Sequence, residues 1–274
     1  MHWTFVSNLP LGLLTAWMWA LLAFLVGRIV HRHASLDVFW GAGFVVVYFE
    51  SLFVADHSGG LAATNAGASN FDARYFVLGF VALWGLRLAM HLALRQRGAK
   101  EDTRYIFIME GARGRNETLY ALRVIYGLQG LLLWFVSIPL QWTAFRTHFD
   151  WLIVPGLVLV TIGILFEATG DEQLRAFVGD PTTKGTTLKN GLWRYTRHPN
   201  YFGDSIVWCG FYVVACSSGW GFLTILSPIA MMYLLTSHSG KPMLERKLTK
   251  TRAGYAGYVA TTSSFIPWPP KRTH

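Results

Sequence analysis

Leu11-Gly12-Leu13-Leu14-Thr15-Ala16-Trp17-Met18-Trp19-Ala20-Leu21-Leu22-Ala23-Phe24-Leu25-Val26 carries no charge from one end to the other. The run is too long for a strand, and a helix built from it has no polar face to turn toward water. Lipid offers no partner to an unpaired backbone group, so a helix of roughly 20 mostly apolar residues is the form in which such a run crosses a bilayer. Further stretches repeat the pattern at Val38 to Val54, Tyr75 to Leu94, Leu119 to Leu140, Trp151 to Phe166, Ser205 to Ala215 and Phe222 to Leu235. The last two are joined by Cys216-Ser217-Ser218-Gly219-Trp220-Gly221, which reads as a tight helical hairpin. The expected fold class is all-α: a polytopic membrane protein with seven transmembrane helices in one domain over residues 1–274. Counts of six or eight also fit, the last pair carrying the ambiguity.

The composition agrees. Of 274 residues, 53% are hydrophobic and 14% charged, against about 25% charged in soluble domains. That excludes disorder, collagen-like repeats and disulfide-stapled scaffolds. Cys209 and Cys216, seven apart near one helix face, read as packing residues and not as a bridge. The net charge of +9 is topological. All lysines and arginines except Arg74, Arg87, Arg123 and Arg146 fall in the first, third and fifth loops or after the last span. Alternate basic loops place the N-terminus outside and the C-terminus in the cytoplasm, and remove the need for a nucleic-acid partner. The first run lacks a basic n-region and a small-residue cleavage site, and is expected to be a retained helix.

Polar residues inside such helices are expensive and point to function or to helix–helix contacts. Glu50, Arg87, His91, Glu167 and Asp204 are of this kind, with Asp37 at a helix mouth. Glu50 stands in a nearly continuous apolar run, so its carboxyl is either protonated or paired, and either state suits a proton donor. The densest polar segment is Lys189-Asn190-Gly191-Leu192-Trp193-Arg194-Tyr195-Thr196-Arg197-His198-Pro199-Asn200-Tyr201-Phe202-Gly203-Asp204. Pro199 fits the first turn of a helix and leaves neighbouring N–H groups to face an anion. Arg194, Arg197 and His198 add cationic donors there, while Asn200 and Asp204 share a helix face. Together they describe a nucleotide pocket. A basic loop placed for topology explains the arginines but not His198-Pro199-Asn200-Tyr201 or Asp204.

The third loop, Arg95-Gln96-Arg97-Gly98-Ala99-Lys100-Glu101-Asp102-Thr103-Arg104-Tyr105, reads first as a solvated membrane-proximal surface. The proline-rich Phe265-Ile266-Pro267-Trp268-Pro269-Pro270 reads as docking at the interface. No G-x-G-x-x-G follows a strand and no P-loop occurs, so a nucleotide here is held without either unit. No H-E-x-x-H is present and His31-Arg32-His33 is a poor ligand set, so no metal is expected.

These motifs carry a resemblance. Gly191 to Tyr195 and Arg197 to Asp204, preceded by Asp180-Pro181 and Lys184-Gly185, resemble the C-terminal domain of the steroid 5-alpha-reductase family in its bacterial branch. The likeness extends to Leu83-Trp84-Gly85-Leu86-Arg87-Leu88, Glu101 to Tyr105, Phe166-Glu167 with Asp171, and Leu244-Glu245 through Tyr255, Tyr258 and Phe265 to Trp268. It implies an integral membrane enzyme, in a bacterial inner membrane, that uses NADPH to saturate the 4,5 double bond of 3-oxo-4-ene steroids. The cofactor is expected among the helices, closed off by cytoplasmic loops. Its implied binding residues are Asp37, Trp40, Arg87, His91, Arg95, Asp102, Tyr105, Asp171, Arg194, Arg197, His198, Asn200, Tyr201, Asp204, Glu245, Tyr255 and Tyr258. Asp171 is placed in the loop ahead of the sixth helix, and residues 167–274 form the main cofactor part, with helices 1–4 on the substrate side.

The implied catalytic acid is Glu50, on the second helix. Animal members pair it with a tyrosine on the third helix, where this chain carries Trp84. Partners are a lipophilic, steroid-like enone and the bilayer, and the expected state is a monomer. Two other readings are weighed. An S-adenosylmethionine-dependent isoprenylcysteine-type carboxyl methyltransferase shares R-H-P-x-Y, but has a Glu-Glu pair where Glu245 is followed by Arg246. A noncatalytic lipid carrier leaves Asn200 and Asp204 unexplained.

Overall fold

The structure is a computed structural model that describes residues 4–57, 72–146, 149–238, 245 and 248–271. The central part of the outer loop 56–74, weighed in the sequence only as a Gly- and Ser-rich connection, therefore lies outside the described residues, as do Leu244, Arg246, Lys247, Lys241 and Arg272. Every regular element among the described residues is helical, with one isolated bridge between Thr196 and Ser263. Six of these helices are long and apolar enough to cross a membrane: Phe5–Ile29, Ser35–His57, Ala73–Arg95, Glu117–Val136, Ile153–Gly179 and Gly219–Ser237. The protein is a polytopic helical membrane protein.

The expected seventh crossing, Ser205 to Ala215, is the later part of helix α9, Pro199–Cys216. Its opening turns carry Pro199, Asn200, Tyr201 and Asp204, and these dilute its apolar character below that of the six. Two other boundaries differ. The run expected as one helix from Leu119 to Leu140 is α5 (Glu117–Ala121), a π-helical segment (Leu122–Gly127), α6 (Leu128–Val136) and α7 (Ile138–Ala144). Pro139, at the start of α7, lacks the N–H that would continue the ladder, so the break falls just ahead of it. Helix α8, Ile153–Gly179, runs well past Phe166. At ~1.5 Å per residue it is about 40 Å long, more than the ~30 Å hydrocarbon core. Asp171 therefore stands on a helix and not in a loop.

The chain divides into two compact units, Met1–Ile153 with Tyr212–Ser227, and Val154–Phe211 with Pro228–His274. In the first, α1 (Phe5–Ile29) starts at a capping box in which Thr4 and Ser7 satisfy each other's backbone amides. Its inward stripe is small, Gly12, Ala16, Ala20, Ala23 and Gly27, while Leu14, Trp17, Met18, Leu21 and Leu25 face outward. Small residues inside and large apolar residues outside is the arrangement of a helix solvated by lipid. Between α2 (Ser35–His57) and α3 (Ala73–Arg95) the approach is closer still. A Cβ on Gly41 would lie 2.5 Å from the Gly85 carbonyl oxygen, and one on Gly85 2.4 Å from that of Gly41.

The start of α2 is held from a distance. The Glu101 carboxylate accepts the His33 and Ala34 amides, at 2.5 and 3.0 Å. An anion there satisfies orphan donors and complements the helix dipole. Glu101→Ala is expected to destabilise the protein by about 1–2 kcal/mol. Thermal unfolding of the purified protein checks this, and an unchanged midpoint would mean that the cap contributes nothing.

Candidate active site

Three groups of side chains collect the residues expected from the sequence. The first lies at the mouth of α2. Asp37 accepts from Arg104 Nη2 at 2.7 Å and from the Tyr105 hydroxyl at 2.6 Å, and Asp102 caps α4 (Thr103–Glu110) while also accepting from Arg104. Burial opposes the charge of Arg104, but Asp37 and Asp102 outweigh it and hold the guanidinium firmly protonated. Burial and then Asp37 push the Tyr105 hydroxyl well above its ordinary range. Asp37, Asp102 and Tyr105 thus form one network. Trp40 follows one turn along α2 with its ring edge-on to Phe44, at 5.4 Å. Arg87 and His91 are half-buried, one turn apart on α3, and Arg95 is exposed at its end. Arg104 and Glu101, present in the quoted loop motif but assigned no role by sequence, are the residues that organise this end.

The second group is around Glu50. On α2 it stands thirteen residues beyond Asp37, about 20 Å at ~1.5 Å per residue. Its Oε2 lies 3.3 Å from Ser51 Oγ, and its buried Oε1 has no hydrogen-bond partner among the described residues. Tyr48 turns elsewhere: it is fully buried and donates to the Arg74 carbonyl at 3.0 Å. Trp84 does not belong to this group: it is fully buried against Phe44, ring centroids 5.6 Å apart, beside the Gly41–Gly85 contact, and Phe44 stands six residues, about 9 Å, down α2 from Glu50.

The third group lies in the second unit. Pro199 is the first residue of α9, as expected from its fixed φ and missing N–H. Gly170 of α8 receives the start of α9, where a Cβ would lie 3.2 Å from the Asn200 amide nitrogen. Gly203 in turn lies against the backbone of Glu167, which brings Asp204 to the level of that buried carboxyl. Asp171 and Asp204 are both buried. The Asn200 carboxamide oxygen accepts the Tyr201 amide at 3.1 Å, so it caps the helix locally.

Ahead of α9, the C-terminal segment clasps the loop. Arg197 N–H donates to the Ser263 carbonyl (2.9 Å), Thr196 Oγ1 to that of Phe265 (2.7 Å), and Trp268 N–H to that of Tyr195 (2.9 Å). The Phe265–Trp268 backbone is thus pinned to this loop, while the Ile266 and Trp268 side chains stay exposed. Tyr258, in the short helix Tyr255–Thr261, donates to the Trp193 carbonyl beneath it.

Glu245 then joins Arg197 and His198. Its Oε1 is 2.9 Å from His198 Nε2 and 3.5 Å from Arg197 Nε, across 47 residues of sequence in the first case. The His198 ring also stacks on Tyr201 at 5.3 Å. Arg197 is 8% exposed, and its Nη1 is buried with no hydrogen-bond partner among the described residues. Arg194, by contrast, is exposed. Burial and then Glu245 push the Tyr255 hydroxyl up to about 12. The pairing of His198 with Glu245, and the roles of Thr196 and Ser263, carry no periodic signal in the sequence.

A family model described as "Protein of unknown function (DUF1295)" matches residues 23–262. The protein 3-oxo-5-alpha-steroid 4-dehydrogenase 1 of Bos taurus is 35% identical over 78 residues, covering 27% of this chain and 30% of that relative. The chain thus spans under a third of the length of the curated relative it matches. No solved structure matches the chain. Since the family model covers most of the helical body and both polar helix mouths, the chain belongs to the DUF1295 family, a steroid 5-alpha-reductase-like family of membrane proteins.

Proposed function

We propose that the protein is an NADPH-dependent reductase that saturates the 4,5 double bond of 3-oxo-4-ene steroids, or of flat enones of that shape. The observation that carries the cofactor assignment is Arg197, whose buried guanidinium keeps two nitrogens, Nε and Nη1, without a hydrogen-bond partner among the described residues. Such a donor fits a phosphate oxygen, because a charge-assisted bond there replaces what burial removed. Glu245, itself held by His198 Nε2 at 2.9 Å, stands 3.5 Å from the guanidinium's Nε as its ion-pair partner. Asn200, Tyr201 and Asp204 on the first turns of α9, with Asp171, Tyr255 and Tyr258, complete the binding residues of this unit. Asp37, Trp40, Arg87, His91, Arg95, Asp102 and Tyr105 are the candidates in the other unit, and exposed Arg194 is left a long-range electrostatic part.

When bound, NADPH supplies the hydride that adds to the β carbon of the enone. Negative charge then gathers on the 3-oxo oxygen, and a protonated Glu50 carboxyl donates to that oxygen. Phe49 and Leu52, which flank Glu50 on α2, are apolar, and an apolar setting strengthens such a bond. In the membrane, α9 makes the seventh crossing with the N-terminus outside, the sense given by the basic loops, in a bacterial inner membrane.

The test is NADPH binding and oxidation by purified protein with and without progesterone. Arg197→Ala is expected to weaken NADPH binding by about 10- to 100-fold, the worth of one to two charged hydrogen bonds. Wild type that binds S-adenosylmethionine and not NADPH would overturn the reading.

A further inference from the structure

One level of the first unit buries polar side chains on facing helices. Asn8 of α1 is fully buried, and its Nδ2 donates to Ser51 Oγ of α2 at 3.2 Å. Ser51, equally buried, has two acceptors in reach: the Val47 carbonyl at 2.9 Å and Glu50 Oε2 at 3.3 Å. Asn8 Oδ1 and Glu50 Oε1 are buried without a hydrogen-bond partner among the described residues. Successive residues on a helix do not face each other, so the Glu50 carboxyl reaches Ser51 only by folding back across the helix surface.

We propose that Asn8 and Ser51 are positioning residues for Glu50, holding its carboxyl by Oε2 so that Oε1 is the edge offered to the substrate carbonyl. The assignment rests on Glu50 being the acid. A hydroxyl has one hydrogen and two lone pairs. Asn8 Nδ2 fills one lone pair of Ser51, which leaves the single hydrogen to choose between Val47 and Glu50. When it turns to Oε2, that oxygen is an acceptor, and the acid hydrogen resides on Oε1. When the hydrogen of Oε1 passes to the substrate oxygen, Ser51 is already donating to the carboxylate left behind. A fixed donor of this kind needs no reorganisation at the moment of reaction. Helix–helix glue between α1 and α2 uses the same atoms, but predicts no link to the acid.

The experiment uses the full chain in lipid nanodiscs, with Ser51→Ala, Ser51→Thr and Asn8→Leu made singly and on a Glu50→Gln background. With NADPH and progesterone, Ser51→Ala and Asn8→Leu are expected to lower kcat about tenfold or more with the KM for NADPH unchanged, and Ser51→Thr to retain activity. On the Glu50→Gln background neither is expected to lower the rate further. Losses that multiply on that background would show a merely structural pair and overturn the proposal.

Infrared spectroscopy supplies a readout that needs no turnover. The carboxylic C=O band lost in Glu50→Gln is expected to move to higher frequency in Ser51→Ala and Asn8→Leu. An unmoved band, or no such band in wild type, overturns the proposal even if turnover is seen. A wild type that moves its band on substitution but oxidises no NADPH refutes the reductase reading and leaves the positioning intact.

Discussion

Glu50→Gln is expected to lower turnover of NADPH with a 3-oxo-4-ene steroid by about 10²- to 10⁴-fold, with NADPH affinity unchanged. The substitution is nearly isosteric, and the site is a half-buried position on α2 between Phe49 and Ser51, so the fold has no reason to respond. An amide N–H can still donate to a carbonyl oxygen, but it cannot release a proton to the oxyanion that hydride addition creates. The lost interaction belongs to the transition state, so kcat and kcat/KM are expected to fall together. Tyr48, two residues away on α2, does not replace it, since its hydroxyl is committed to the Arg74 carbonyl. Steady-state kinetics with the saturated product quantified checks this. Turnover within twofold of wild type would remove Glu50 from the reaction.

Where the membrane dictates structure, the sequence is readable. Uncharged runs such as Leu11 to Val26 have one stable form in lipid, so α1, α2 and α3 were expected close to where they stand. Pro199 announced the start of α9 by the same kind of local rule. Leaving the membrane removes that discipline. Helix α8 continues through Glu167-Ala168-Thr169-Gly170-Asp171-Glu172-Gln173-Leu174-Arg175 because most of these residues tolerate a helix, although hydropathy alone ends the span near Phe166. The break at Ser137 did have a signal in Pro139, which a purely hydropathic reading passes over.

Partners are the least readable part. Periodicity tells which residues share a face, so Asn200 with Asp204 and Arg87 with His91 could be grouped from spacing. It does not say that Glu245 meets His198, that Glu101 closes the start of α2, or that Asn8 reaches Ser51. Each of these contacts joins segments 43 or more residues apart. Their common physical cause, a buried polar group needing a partner, acts only once the helices are packed.

Gly203→Leu is expected to destabilise the protein by about 3 kcal/mol and to abolish NADPH binding with it. Glycines recur every seven residues on α8 at Gly156, Gly163 and Gly170, and on α9 at Gly203 and Gly210. A Cβ on Gly203 would meet the Glu167 amide nitrogen at 2.5 Å, one on Gly163 the Val207 nitrogen at 2.6 Å, and one on Gly210 the Val160 nitrogen at 2.6 Å. The atoms met are backbone, which cannot rotate aside, so added volume must separate the helices along the whole seam. Separation acts on the site as well as on stability, because Asn200 and Asp204 flank Gly203, and Glu167 and Asp171 lie on the helix it touches. Gly179→Ala is the control, since a Cβ there meets nothing within 4 Å. Thermal unfolding together with NADPH titration separates the outcomes. A Gly203→Leu protein that melts and binds as wild type would mean that α8 and α9 do not meet through these glycines.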